Sequence, residues 1–139
     1  MTIQAQIMDL LKRVNRDHGT AIILISHNLA LVSQNCDRVL VMYAGRIVEE
    51  LSRERLLAGA RHPYTSALLA SVPDMGRPQD EPLAYIPGQA PDLADLPTGC
   101  PYHPRCALAQ DVCRGSRPAL RARPEGGRVA CWVANEDLP

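Results

Sequence analysis

The stretch Thr20–Glu49, TAIILISHNLALVSQNCDRVLVMYAGRIVE, decides how this chain is read. It opens on an apolar, β-branched run, Ala21-Ile22-Ile23-Leu24-Ile25, that breaks into Ser26-His27-Asn28. A second apolar run, Val39-Leu40-Val41-Met42-Tyr43, follows after a short segment. An unbroken apolar strand reads as buried on both faces, as in a parallel α/β sheet. Ligands collect at the carboxyl ends of such strands, which is where His27 falls. An imidazole there either donates to a phosphate or polarises a water, or it is a structural histidine at a strand end.

The flanking sequence has clear periodicity up to about Ser71. Ile3, Ile7, Leu10, Leu11 and Val14 recur at helical spacing, and His18-Gly19 closes that helix. Asn28–Asn35 reads as a short helix capped by Asn28 or Ser26. Ala44-Gly45 reads as the turn between strands Arg38–Tyr43 and Arg46–Leu51. Ser52 caps a helix through Leu57, and Pro63 suits the first turn of another ending at Ser71.

Beyond Ser71 the chemistry changes, because eleven of the twelve prolines lie from Pro73 onward. Such a segment holds little core-forming material and needs a staple to be ordered. Cys100, Cys106, Cys113 and Cys131 offer one, with gaps of five, six and seventeen residues between them. No C-x-x-C pair is present, so the usual zinc-ribbon spacing is missing. Four thiolates suit zinc or a cubane iron–sulfur cluster, and disulfides or free thiols are the other readings. His62 and His103 are substitute ligands if the metal is zinc. Cys36 stands apart as a small buried side chain.

Composition narrows the function. Fifteen basic and fifteen acidic residues cancel, leaving no electrostatic case for nucleic acid or anionic lipid. Aromatics make up 4% and Phe is absent, which leaves few platforms for stacking bases. No apolar run is long enough to span a membrane, and the Met1-Thr2-Ile3-Gln4 start has no secretion-signal character. Without export, clustered cysteines favour metal over disulfides.

Ser26-His27 followed by Asp37-Arg38-Val39-Leu40-Val41-Met42-Tyr43-Ala44-Gly45-Arg46-Ile47-Val48-Glu49 resembles the tail of an ATP-binding-cassette ATPase. There the serine–histidine pair is the H-loop. The later segment Ile86-Pro87-Gly88, Pro91-Asp92-Leu93, Gly99-Cys100-Pro101, Pro104-Arg105-Cys106, Cys113, Pro118 and Val129-Ala130-Cys131 resembles the carboxy-terminal extension of oligopeptide, dipeptide and nickel importer ATPases. His62-Pro63-Tyr64-Thr65 resembles the link into it.

The resemblance implies an α/β fold: the carboxy-terminal part of a P-loop cassette domain over residues 1–60, then an irregular Pro/Cys-rich extension over 61–139. It implies that His27 senses the γ-phosphate of ATP in an intact cassette that also binds Mg. It implies a 4Fe–4S cluster on Cys100, Cys106, Cys113 and Cys131, with zinc as the alternative. The implied partners are a second ATPase subunit, transmembrane permease subunits and, indirectly, a substrate-binding protein. The implied location is the cytoplasmic face of the bacterial inner membrane.

The chain carries no G-x-x-x-x-G-K-[ST], no L-S-G-G-Q signature and no apolar strand ending in Asp-Glu. It is therefore expected to be a carboxy-terminal portion, inactive towards ATP by itself. A stand-alone iron–sulfur or zinc regulatory module is the competing reading, and the H-loop match argues against it. A hydrolase built on His27 is weaker still, since no nucleophile with a paired base is evident.

Overall fold

A hairpin organises the chain. The computed structural model describes residues 3–72 and 84–135. Strand β1 (Arg38–Tyr43) pairs antiparallel with β2 (Arg46–Ser52) through the turn at Ala44-Gly45. Both turn residues have positive φ, 49° and 72°, the geometry whose twist suits a two-residue hairpin loop. Period-two alternation sends Val39, Val41 and Tyr43 into the core and leaves Leu40 and Met42 outside.

β2 breaks that alternation. Val41 pairs with Glu49 but Met42 pairs with Ile47, so Val48 is an extra residue, a β-bulge. Val48 and Glu49 are consequently both buried. The bulge thus turns a carboxylate inward.

Two short strands extend the sheet. β4 (Arg128–Val129) lies antiparallel on β2, and β3 (Arg121–Ala122) on β4, giving the order β1-β2-β4-β3. The turn between them needs Gly127, which has φ +81° and whose Cβ would stand 2.4 Å from the Glu50 carbonyl. The proline-rich half therefore contributes strands to the same sheet as the hairpin. Its start at Pro73 lies outside the described residues.

The helices are α1 (Ile3–His18), α2 (Leu29–Asn35), α3 (Arg53–Ala58), α4 (Pro63–Ala70) and α5 (Asp111–Gly115). Asn28 caps α2 by accepting from the Leu31 amide, while Ser26 accepts from the Asn28 amide. Ser52 caps α3 through the Arg55 amide. The apolar stripe of α1 faces solvent, with Ile3 76%, Ile7 53% and Leu10 55% exposed.

The expected strand at Ala21–Ile25 does not form. The segment has no ladder partner, and Ile23 and Ile25 are 90% and 93% exposed. A strand needs a neighbour for its amides and carbonyls, and among the described residues no strand lies beside this one. The architecture is a mixture of helices with an antiparallel sheet, in place of a parallel sheet covered on both faces.

The core joins both halves. Val39, Val41, Tyr43, Val48, Leu51 and Leu56 pack with Tyr102, and Tyr64, Ile86, Cys100 and Cys106 close around them. Tyr43, Tyr64 and Tyr102 meet with ring centroids 4.6–5.3 Å apart, two of the three contacts edge-to-face. Arg105 ties the incoming loop to this trio. It donates to the carbonyls of Pro87 (2.8 Å) and Ile86 (3.2 Å) and to the Tyr43 hydroxyl (3.4 Å).

Candidate functional site

The four late cysteines come together. Cys113 is buried in α5, and the Cys100 amide donates to its carbonyl at 2.8 Å. That close approach needs Gly99, with φ +74°, since a Cβ would sit 2.3 Å from the Cys113 carbonyl. A tight turn over His103–Arg105 carries the chain to Cys106. Cys131 follows β4, held where the Ala130 amide donates to the Val48 carbonyl at 2.8 Å. All four then line one small pocket with His62, His103, Tyr102 and Trp132. All are free thiols, so no disulfide supplies the staple. Cys36 lies elsewhere, at the end of α2.

The environment suits thiolates only if something holds their charge. Burial raises the thiol pKa of Cys100, Cys106 and Cys131 above the usual value, and mutual repulsion adds to it. Backbone amides pull the other way: Tyr102 and His103 at Cys100, Leu108 at Cys106, Ala134 and Val133 at Cys131. Amides directed at sulfur are donors of the kind that iron–sulfur centres use. As placed, no three His, Cys, Asp or Glu among the described residues are arranged to hold a single metal ion.

His62 borders the same pocket from the other half of the chain. It is 1% exposed and caps α4, its Nδ1 accepting from the Tyr64 amide at 3.1 Å. Burial pushes its imidazole down to about 4, with the Ala130 backbone pulling weakly upward. No hydrogen bond of normal geometry reaches Nε2. The bulged Glu49 positions this residue, because its carboxylate accepts from the Arg61 amide (2.7 Å) and the His62 amide (3.2 Å). His103 differs: its Nδ1 sits 2.9 Å from the Cys100 carbonyl, which only accepts, so Nδ1 carries the proton.

His27 stands apart from the cysteine pocket, exposed just before α2. The structure thus brings Cys100, Cys106, Cys113 and Cys131 together and leaves His27 separate. The sequence did not reveal Glu49 as a buried anchor, because the bulge that turns it inward has no residue-type signature. Nor did it reveal the capping role of His62, although a histidine directly before a first-turn proline was a usable signal.

Residues 48–113 match the family described as the oligopeptide/dipeptide transporter, C-terminal region. A probable peptide ABC transporter ATP-binding protein of Sinorhizobium fredii is 46% identical over 136 residues, covering 98% of this chain. The dipeptide transport ATP-binding protein DppD of Escherichia coli is 40% identical over 137 residues, covering 99% of this chain. A putative peptide import ATP-binding protein of Brucella ovis is 41% identical over 139 residues. The chain spans about 41% of the length of these relatives. Over nearly its whole length the chain is similar to peptide ABC transporter ATP-binding proteins, and residues 48–113 match the model of their C-terminal region.

Proposed function

We propose that this chain is the carboxy-terminal part of the ATP-binding subunit of an ABC importer for oligopeptides or dipeptides. The observation that carries this is the match at 40–46% identity over nearly the whole chain to proteins named for peptide transport. In an intact cassette His27 would donate to the γ-phosphate, reporting its presence to the rest of the machine. Its exposure at the head of α2 leaves the imidazole accessible for that contact. The proposed partners are a second ATPase subunit and transmembrane permease subunits, at the cytoplasmic face of the inner membrane. No helix among the described residues is long and apolar enough to cross a membrane.

The test is a chimera in which this chain replaces the matching part of Escherichia coli DppD in a strain lacking that protein. Dipeptide uptake should return, and should be lost again with His27→Ala. A chimera that accumulates, folds and restores nothing refutes the assignment.

We further propose that Cys100, Cys106, Cys113 and Cys131 ligate a 4Fe–4S cluster. Its support is their convergence on one apolar pocket with backbone amides at the sulfurs. When bound, the cluster supplies a cross-link among three chain segments and a one-electron centre. The division into residues 1–60 and 61–139 is then a division of roles within one packed unit, with phosphate sensing in the first and the cluster in the second. Anaerobically produced protein should be brown, and a Ser at any of the four positions should bleach it. Cys36→Ser should leave the colour. A colourless chain with one zinc refutes the cluster and keeps the ligand set.

A further inference from the structure

His27 has no side chain to aim it. Its imidazole is exposed, and among the described residues no group hydrogen-bonds either ring nitrogen. The direction of the ring is therefore set by its own backbone, which decides the rotamers open to it. The approach to His27 gives that backbone little support. Ala21–Ile25 joins no strand or helix, so no ladder holds the segment that leads in.

The residues on either side of His27 supply what the approach does not. Ser26 Oγ accepts from the Asn28 amide at 3.0 Å, a side-chain turn that closes over His27. Asn28 Oδ1 accepts from the Leu31 amide at 3.1 Å, and the Asn28 carbonyl accepts from the Val32 amide at 3.1 Å. Asn28 is thus held twice, by the turn through its amide and by α2 through its side chain and carbonyl. Helix α2 is itself anchored, with Leu29 and Val32 packed against the hairpin core. The path from core to imidazole runs through α2, then Asn28, then Ser26, and His27 lies inside the last link. Ser26 and Asn28 are exposed, so burial does not explain their side chains.

We propose that Ser26 and Asn28 are positioning residues for His27, their two bonds fixing the backbone around the imidazole so that it points at the γ-phosphate. This rests on the reading of His27 as the donor to that phosphate. Neither residue needs to touch the nucleotide, since both act through the histidine between them.

The experiment uses the chimera with Escherichia coli DppD, reading ATP turnover and KM for each variant. Ser26→Ala and Asn28→Ala should each lower turnover by roughly tenfold or more, because a misplacement on the order of 1 Å is enough for such a loss. The KM for ATP should change little. Ser26→Thr keeps the hydroxyl acceptor and Asn28→Ser keeps a capping oxygen, so both should retain turnover. The diagnostic variants are the doubles. Once the imidazole is gone there is nothing left to position, so Ser26→Ala or Asn28→Ala added to His27→Ala should slow the chimera no further.

Losses that multiply in the doubles make Ser26 and Asn28 merely structural and overturn the inference. So do alanine variants with full turnover, and so does a failure of Ser26→Thr and Asn28→Ser to retain it. In those cases a slow His27→Ala leaves the phosphate reading standing. Full turnover in His27→Ala removes that reading and takes this inference with it. If the alanine variants do not fold, hydrogen exchange in the unsubstituted chain still decides. The Asn28 and Leu31 amides should exchange more slowly than those of an unstructured peptide, and equal rates overturn the inference.

Discussion

Gly99 and Glu49 are single residues on which the cysteine pocket depends, and each makes a separate prediction. Gly99→Ala places a Cβ against the Cys113 and Arg114 carbonyls at a φ of +74°. The backbone must move there, and since Cys100 and Cys113 are joined by a direct amide–carbonyl bond, the pocket must move with it. Strain at such a position costs on the order of 1–3 kcal/mol, to be read by urea denaturation. Glu49→Ala strands two backbone donors that the carboxylate now satisfies. Each unsatisfied buried donor costs about 1–3 kcal/mol, and the same measurement checks it. An unaffected stability would mean that water replaces the carboxylate. The two residues also differ in how far the sequence reveals them. A glycine beside a cysteine invites attention, and four spaced cysteines announce a shared site without their geometry. The burial of Glu49 follows from a one-residue bulge against the neighbouring strand, which no local pattern records.

Elements that close on themselves were legible, and those that need a neighbour were not. The hairpin at Arg38–Ser52 carries its own turn, alternation and partner strand, so the pattern and the structure agree there. The helices with Ser52 and Asn28 as caps are local in the same way. Ala21–Ile25 has the composition of a central strand, yet its state depends on flanking strands that its own residues cannot provide. It joins no strand or helix, with Ile23 and Ile25 almost wholly exposed. β3 and β4, at two residues each, were illegible for the same reason, because a pair of residues has no periodicity. Extended apolar chain with unpaired amides is a template for association. Changing Ile23→Thr together with Ile25→Thr should reduce self-association in light scattering at high protein concentration. The melting temperature should shift little, since exposed substitutions stay within roughly 0.5 kcal/mol. A large drop in melting temperature would show that these side chains are buried in an assembly.

For the molecule as a whole, the balance between what the chain holds and what phosphoryl transfer requires sets its chemistry. Transfer from ATP depends on positioning and charge stabilisation by a phosphate-cradling loop, a metal and a water-orienting acid. The 139 residues contain none of the sequence patterns for these, and His27 is the one residue the resemblance assigns to the nucleotide. One exposed imidazole offers a single hydrogen bond to a phosphate that water already solvates. Calorimetry with Mg-ATP should therefore show no saturable binding to the chain alone, and micromolar binding would refute this. Joined to the cassette segments of a relative, the same imidazole acts where the phosphate is held and water is excluded. There the loss of one charge-stabilising donor costs about a hundredfold or more in turnover. His27→Ala in the chimera should lower ATP turnover by that factor and weaken nucleotide binding far less, because the phosphate loop carries most of the affinity. Equal losses in both would assign His27 to ground-state binding, and loss of neither would make it a structural residue of the helix head.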